Sequence, residues 1–173
     1  MNPSEELRHL SKGVEPGEEE KRKGFIVWFR IQCPRDANNV LNRCRKVLQI
    51  VLRQSKKNWL SYDDEEWRTL LPEWFVAYCA PERTQEEDDQ LLERWQKLSP
   101  EAQMLFTEEQ KWTISEFISW LEPKERPWFW WDAFVESDNV FHLAVEVVDF
   151  PFPWDALCWL VRASGATTIQ KIL

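Results

Sequence analysis

RPWFWWDAFVESDNVFHLAVEVVDFPFPWDALCWLVRASG, residues 126–165, is the stretch whose reading decides the fold. Phe129, Trp131, Ala133 and Val135 alternate with Trp130, Asp132, Phe134 and Glu136, and further on Phe141, Leu143, Val145 and Val147 alternate with His142, Ala144, Glu146 and Val148. A period of two predicts two strands. Ser137, Asp138 and Asn139 are turn formers, and pairing Glu136 with Val140 across them sets Trp131 opposite Val145, Ala133 opposite Leu143 and Val135 opposite Phe141. One face is then apolar throughout, and a slip by one residue would bring charges into it. Beyond Asp149 the prolines at 151 and 153 stop the second strand. Trp154, Leu157, Cys158 and Val161 then recur at helical spacing, with Gly165 as the stop, and Thr167 to Leu173 are compatible with a last strand.

Residues 1–22 mix Glu, Lys, Pro and Gly without periodicity, which predicts a solvated, flexible N-terminal tail. Residues 23–173 are then a single domain, well within the size that sustains a core. From Gly24, Phe25, Val27, Phe29, Ile31 and Cys33 lie on one side of a strand, and Ile26, Trp28, Arg30 and Gln32 on the other; Pro34 ends it. Asp36 is placed to cap a helix whose apolar stripe is Val40, Leu41, Cys44, Val47, Leu48, Val51 and Leu52.

Residues 59–121 change character, with acidic runs, six tryptophans and helical spacing, and they read as a helical insertion. A helix from Tyr62 to Leu70 begins with Asp63 and Asp64, a second follows Pro72, and Thr84 with Glu87 forms a capping-box pattern. Ser99-Pro100 and Thr113 start two more. Removing the insertion leaves strand, helix, strand, strand, helix, strand. That order predicts an α+β, ferredoxin-like split βαβ domain, with two helices on one face of a four-stranded antiparallel sheet.

By the same parity the other face gathers Trp28, Arg30, Trp130, Asp132, Phe134, His142 and Glu146. An aromatic patch of this kind calls for a cover, supplied by the insertion or by a partner. Charge is split between segments: residues 23–58 hold nine Lys or Arg against one Asp, and residues 59–121 hold five against fifteen acids. The insertion is therefore expected to fold back near the basic helix.

Composition excludes several classes. No stretch reaches the length of a membrane span and the first residues are too polar for a signal peptide, so the expected location is cytoplasmic, without a membrane partner. Cysteines 33, 44, 79 and 158 show no zinc-like spacing and read as buried thiols. The RNA-recognition module shares this strand order, but VFHLAVEV at 140–147 lacks its basic-glycine-aromatic pattern. Asp132, Glu136, Glu146 and a net charge of -8 also repel phosphate, which argues against nucleic acid.

Asp132, His142 and Glu146 share one strand parity with Arg30 and are the candidates for acid-base catalysis. The structural alternative is an Arg30–Glu146 ion pair with a satisfied histidine. No nucleophile motif, phosphate loop or second histidine for a metal cluster accompanies them, so neither a cofactor nor a metal ligand is named.

LPEWF at 71–75, RPWFWWDA at 126–133 and FPFPWDALCWLVRASGA at 150–166 resemble an uncharacterised conserved family of cyanobacterial proteins. The resemblance implies a bacterial, cytoplasmic origin and no functional residue. The expected function is a non-enzymatic protein-binding or regulatory module that binds through Trp28, Arg30, Trp130 and Phe134. A small enzyme using the open face and a self-associating homodimeric scaffold are the alternatives.

Overall fold

The computed structural model of the chain describes residues 1–18, 20, 22–55, 64–123 and 125–172. Its elements, in chain order, are α1 (Pro3–Lys12), β1 (Phe25–Gln32), α2 (Ala37–Ser55), α3 (Asp64–Leu70), α4 (Glu73–Tyr78), α5 (Gln85–Gln96), α6 (Pro100–Glu109), α7 (Ile114–Ser119), β2 (Trp128–Ser137), β3 (Val140–Val147), α8 (Asp155–Ala163) and β4 (Thr168–Ile172). The architecture is α+β, built on one four-stranded antiparallel sheet of order β2-β3-β1-β4. Val27, Phe29 and Ile31 of β1 and Phe141, Leu143, Val145 and Val147 of β3 form a buried face against Val47, Leu48 and Val51 of α2 and Leu157, Leu160 and Val161 of α8. Asp36 caps α2 by accepting the Asn39 N–H at 3.0 Å, and Gly165, at φ 114°, ends α8 in a conformation that favours glycine. The four cysteines are free; burial raises the thiol pKa of Cys44 to about 12 and those of Cys79 and Cys158 to about 11.

The hairpin keeps the expected pairs Ala133–Leu143 and Val135–Phe141 but departs from expectation at both ends of β2. Register shifts fall between Trp130 and Asp132 and between Val135 and Ser137. Trp130, not Trp131, therefore opposes Val145, and Ser137, not Glu136, opposes Val140, so Asp138 and Asn139 alone make the turn. A bulge adds one residue to one strand and resets which face the following side chains take. Phe129, Trp130 and Trp131 are apolar on both parities, so period two cannot distinguish the bulged register from the regular one. Trp130 consequently moves from the expected open face into the core, where it is fully buried beside Trp128.

The N-terminal residues depart from expectation as well. Asn2 caps α1 by accepting the N–H groups of Ser4 and Glu5, each at 3.0 Å, Pro3 occupies the first turn and Gly13 closes the helix at φ 77°. The helix packs on β2 and α2 and buries Glu6, His9 and Leu10. Its apolar residues Leu7 and Leu10, one turn apart, meet the core beside the buried polar Glu6 and His9.

The insertion lies with the helices rather than across the open face of the sheet. Tyr78 and Trp112 pack on Trp159 of α8, with ring centroids 5.0 and 6.0 Å apart, and Arg43 of α2 lies over Trp74 at 4.8 Å. Trp67, Leu71, Phe75, Ile114, Phe117, Ile118 and Leu121 join the core. Thr84 with Glu87 and Thr113 with Glu116 both form capping boxes, and Ser99 caps α6. The expected start of the insertion at about 59, with Tyr62 and Asp63, lies outside the described residues.

Candidate functional site

Three surfaces carry exposed or unpaired groups. The open face of the sheet is the first. Cross-strand pairing aligns Phe134, His142, Arg30 and Gln170 in one row, and Asp132, Ala144, Trp28 and Ile172 in the next. Phe134 stacks on the His142 ring at 4.8 Å and meets the edge of Trp28 at 5.7 Å, yet is still 51% exposed. Glu136, displaced by the second bulge, lies 2.6 Å from His142 Nε2 and 3.7 Å from Arg30 Nε. The hydrogen bond from His142 holds the Glu136 carboxyl below its usual pKa range, with Arg30 adding to the effect. The expected partner of Arg30 was Glu146, but the β1–β3 register sets Arg30 opposite His142 and Glu146 opposite Ile26, four residues away, and Glu136 takes its place.

Glu146 is buried at the other end of this face, where its Oε1 accepts the backbone N–H groups of Lys23 and Gly24 at 2.9 and 3.0 Å. A Cβ on Gly24 would stand 2.2 Å from the Val147 carbonyl oxygen, so only glycine permits this close approach. The N-terminal segment thus covers one end of the open face and leaves the Phe134 end uncovered. Of the expected binding residues, Trp28, Arg30 and Phe134 do share this face; Trp130 does not.

The three candidate acid-base residues do not converge. His142 and Glu146 are four residues apart on one strand, a separation of about 13 Å at the usual rise. Asp132 accepts the N–H of its neighbour Ala133 at 2.8 Å. Each of the three is engaged by a different partner: His142 by Glu136, Glu146 by the Lys23 and Gly24 N–H groups, and Asp132 by Ala133.

The second surface is the junction of α1 with the edge strand β2, which the sequence reading did not single out. Glu6 is fully buried; its Oε1 accepts the Trp130 N–H at 2.7 Å, and its other oxygen accepts Nη2 of the buried Arg126. The Arg126 guanidinium lies over the rings of Phe129 and Trp128, 4.8 and 5.5 Å from their centroids. One turn on, His9 is buried against Trp131, with centroids 4.9 Å apart and rings near perpendicular. The sequence signals for this helix are its Asn-Pro start, Glu5 and Glu6 in the first turn, the Leu7–Leu10 spacing and a Gly stop ten residues later.

The third surface is the arm formed by α5 and α6. No residue of α5 is buried, and Leu92 (53% exposed), Trp95 (36%) and Met104 (68%) face solvent. Trp95 and Met104 line a shallow groove, and Leu92 precedes Trp95 by one turn on the same stripe. Trp95 Nε1 donates to Thr107 Oγ1 at 3.3 Å, and Gln103 donates to the Trp95 carbonyl at 3.1 Å, which ties the two helices together. Residues 85–109 carry eight carboxylate side chains against one Arg and one Lys.

No helix among the described residues is long and apolar enough to cross a membrane. Comparison of the chain with protein-family models, with curated proteins and with solved structures gives no match.

Proposed function

We propose that this chain is a non-enzymatic protein-binding module whose α5–α6 arm takes a basic, amphipathic segment of a partner protein. One observation carries the reading: a helical arm that gives the core nothing from α5 presents Leu92, Trp95 and Met104 to solvent inside a field of carboxylates. A stable monomer has no use for such a stripe, whereas an amphipathic helix with a basic rim matches both its apolar centre and its charge. Tryptophan is also the residue type most enriched among binding hot spots. The scatter of Asp132, His142 and Glu146 supports a non-enzymatic role. The frame that holds the arm is read as ferredoxin-like, which fits the order β1-α2-β2-β3-α8-β4. The resemblance of residues 71–75, 126–133 and 150–166 to the cyanobacterial family supports a bacterial, cytoplasmic setting.

The test uses a labelled synthetic Lys/Leu amphipathic helix as probe, titrated with the full chain at low salt and followed by fluorescence anisotropy. Saturable binding that weakens at least about tenfold in Leu92→Ser/Trp95→Ser, with thermal unfolding unchanged, is the expected result. Phe134→Asp on the open sheet face should bind as the unaltered chain does. Unaltered binding by the arm variant, or loss of binding in Phe134→Asp, would overturn the assignment.

A further inference from the structure

Within the junction of α1 and β2, Glu5, His9 and Glu18 each offer one ligand atom, and these atoms all lie within 4.8 Å of one another. Glu5 and His9 are four residues apart on α1, so they share one face of the helix; Glu18 comes from the segment that follows Gly13. His9 is 1% exposed, and neither ring nitrogen has a hydrogen-bond partner among the described residues. A buried imidazole with both nitrogens unsatisfied is costly, and native structures rarely tolerate one without a ligand or a role. Its Nε2 points toward Glu18, 3.4 Å from Oε2, too poorly aligned for a hydrogen bond. Trp131, extruded by the bulge, meets the imidazole near-perpendicular and fixes its orientation.

We propose that Glu5, His9 and Glu18 form a divalent transition-metal site of the zinc type. Imidazole with carboxylates suits such an ion, three protein ligands leave one coordination position open, and the two carboxylates neutralise its charge. Glu5 and Glu18 also line a cavity of about 330 Å³, whose wall includes Trp131 and Glu146 together with the cationic Arg22 and Lys23. The Glu18 carboxylate is fixed in place on both oxygens: Oε2 accepts the Glu15 N–H at 2.7 Å and Oε1 pairs with Arg8. Oε2 lies on the His9 side, where the lone pair not used by the Glu15 N–H would serve a metal. Arg8 also competes electrostatically with a cation, so the site is expected to be weaker than one built from free carboxylates. The Glu5 carboxylate has no hydrogen bond or ion pair among the described residues and is available as the third ligand.

The test strips the full chain with a chelator and titrates Zn²⁺ against a competing chromophoric chelator, with Co²⁺ absorption in a parallel titration to report the ligand type. One equivalent should bind, raise the unfolding temperature and give the Co²⁺ spectrum of a nitrogen and oxygen site without a thiolate band. Ligand loss should cost at least the roughly 10–100-fold that changes outside the ligand set cost. Glu5→Gln and Glu18→Gln, on half-buried side chains of unchanged size, should both show that loss, as should His9→Asn where it folds. Glu86→Gln on the arm should bind as the unaltered chain. Absence of saturable binding, or Zn²⁺ affinity unchanged in both Gln variants, would overturn the proposal and leave the cysteines as the source of any uptake.

Discussion

Trp130→Ala is expected to lower unfolding stability by about 3–5 kcal/mol, the cost of emptying a large aromatic site in a packed core. Trp130 is fully buried, stands opposite Val145 and belongs to the same cluster as Trp128, Phe141 and Val147. The removed indole would leave a cavity among side chains that already sit between sheet and helices, where little can collapse inward. Denaturant unfolding gives the check, with an unchanged slope showing that the unfolded chain is the same. A loss below about 1 kcal/mol would mean that Trp130 lies on the surface, in the regular register without the bulge.

The second large effect concerns Glu6. Glu6→Leu should destabilise the chain by about 3–5 kcal/mol, because it strands the buried Arg126 cation and removes the acceptor of the Trp130 N–H. Arg126 keeps its ring contacts in this variant, but Nε and Nη1 have no hydrogen-bond partner among the described residues, so the guanidinium would be left with still less compensation. Replacing both residues, as Glu6→Leu/Arg126→Met, should recover part of that loss, since a hydrophobic pair of similar volume often equals or exceeds a buried ion pair. Thermal unfolding of the two variants side by side is the measurement. A double variant less stable than the single one would show that Arg126 stabilises through its rings and not through Glu6.

Much of the sheet was legible because alternation and turn chemistry agree there. Val27, Phe29 and Ile31 of β1, and Leu143 and Phe141 of β3 with their partners Ala133 and Val135, all fall on the expected face. So do the helix stripe of α2, the capping of α5 and the Gly165 stop, each of which rests on local chemistry. The placement of Trp130 and Trp131 was not legible, because the four consecutive aromatic residues 128–131 satisfy either register, and the observed one sets the Trp130 N–H on Glu6 and Trp131 against His9 of α1. Arg30 finds Glu136 rather than Glu146 because alternation within a strand does not fix the β1–β3 register, which sets Glu146 opposite Ile26. Helix α1 is a different case: Leu7 and Leu10 do lie on one face, but so short a stripe amid Glu, Lys, Pro and Gly is outweighed by the polar composition of the segment, and its other buried residues are Glu6 and His9. As for the surface, the open face collects Trp28, Arg30 and Phe134 as parity predicts. The arm was not legible, because helical spacing alone does not tell which helices of the insertion meet the core: those of α3, α4 and α7 do, and α5 leaves its apolar residues in water.

Amide hydrogen exchange across residues 3–12 tests most directly whether α1 belongs to the folded domain, on which the buried Glu6 and the cluster around His9 both depend. Protection from Leu7 to Gly13 approaching that of α2, and reduced by Glu6→Leu, is the predicted result, because a helix docked through buried side chains opens only at substantial cost. Exchange at the rate of an unstructured peptide throughout this segment would contradict it.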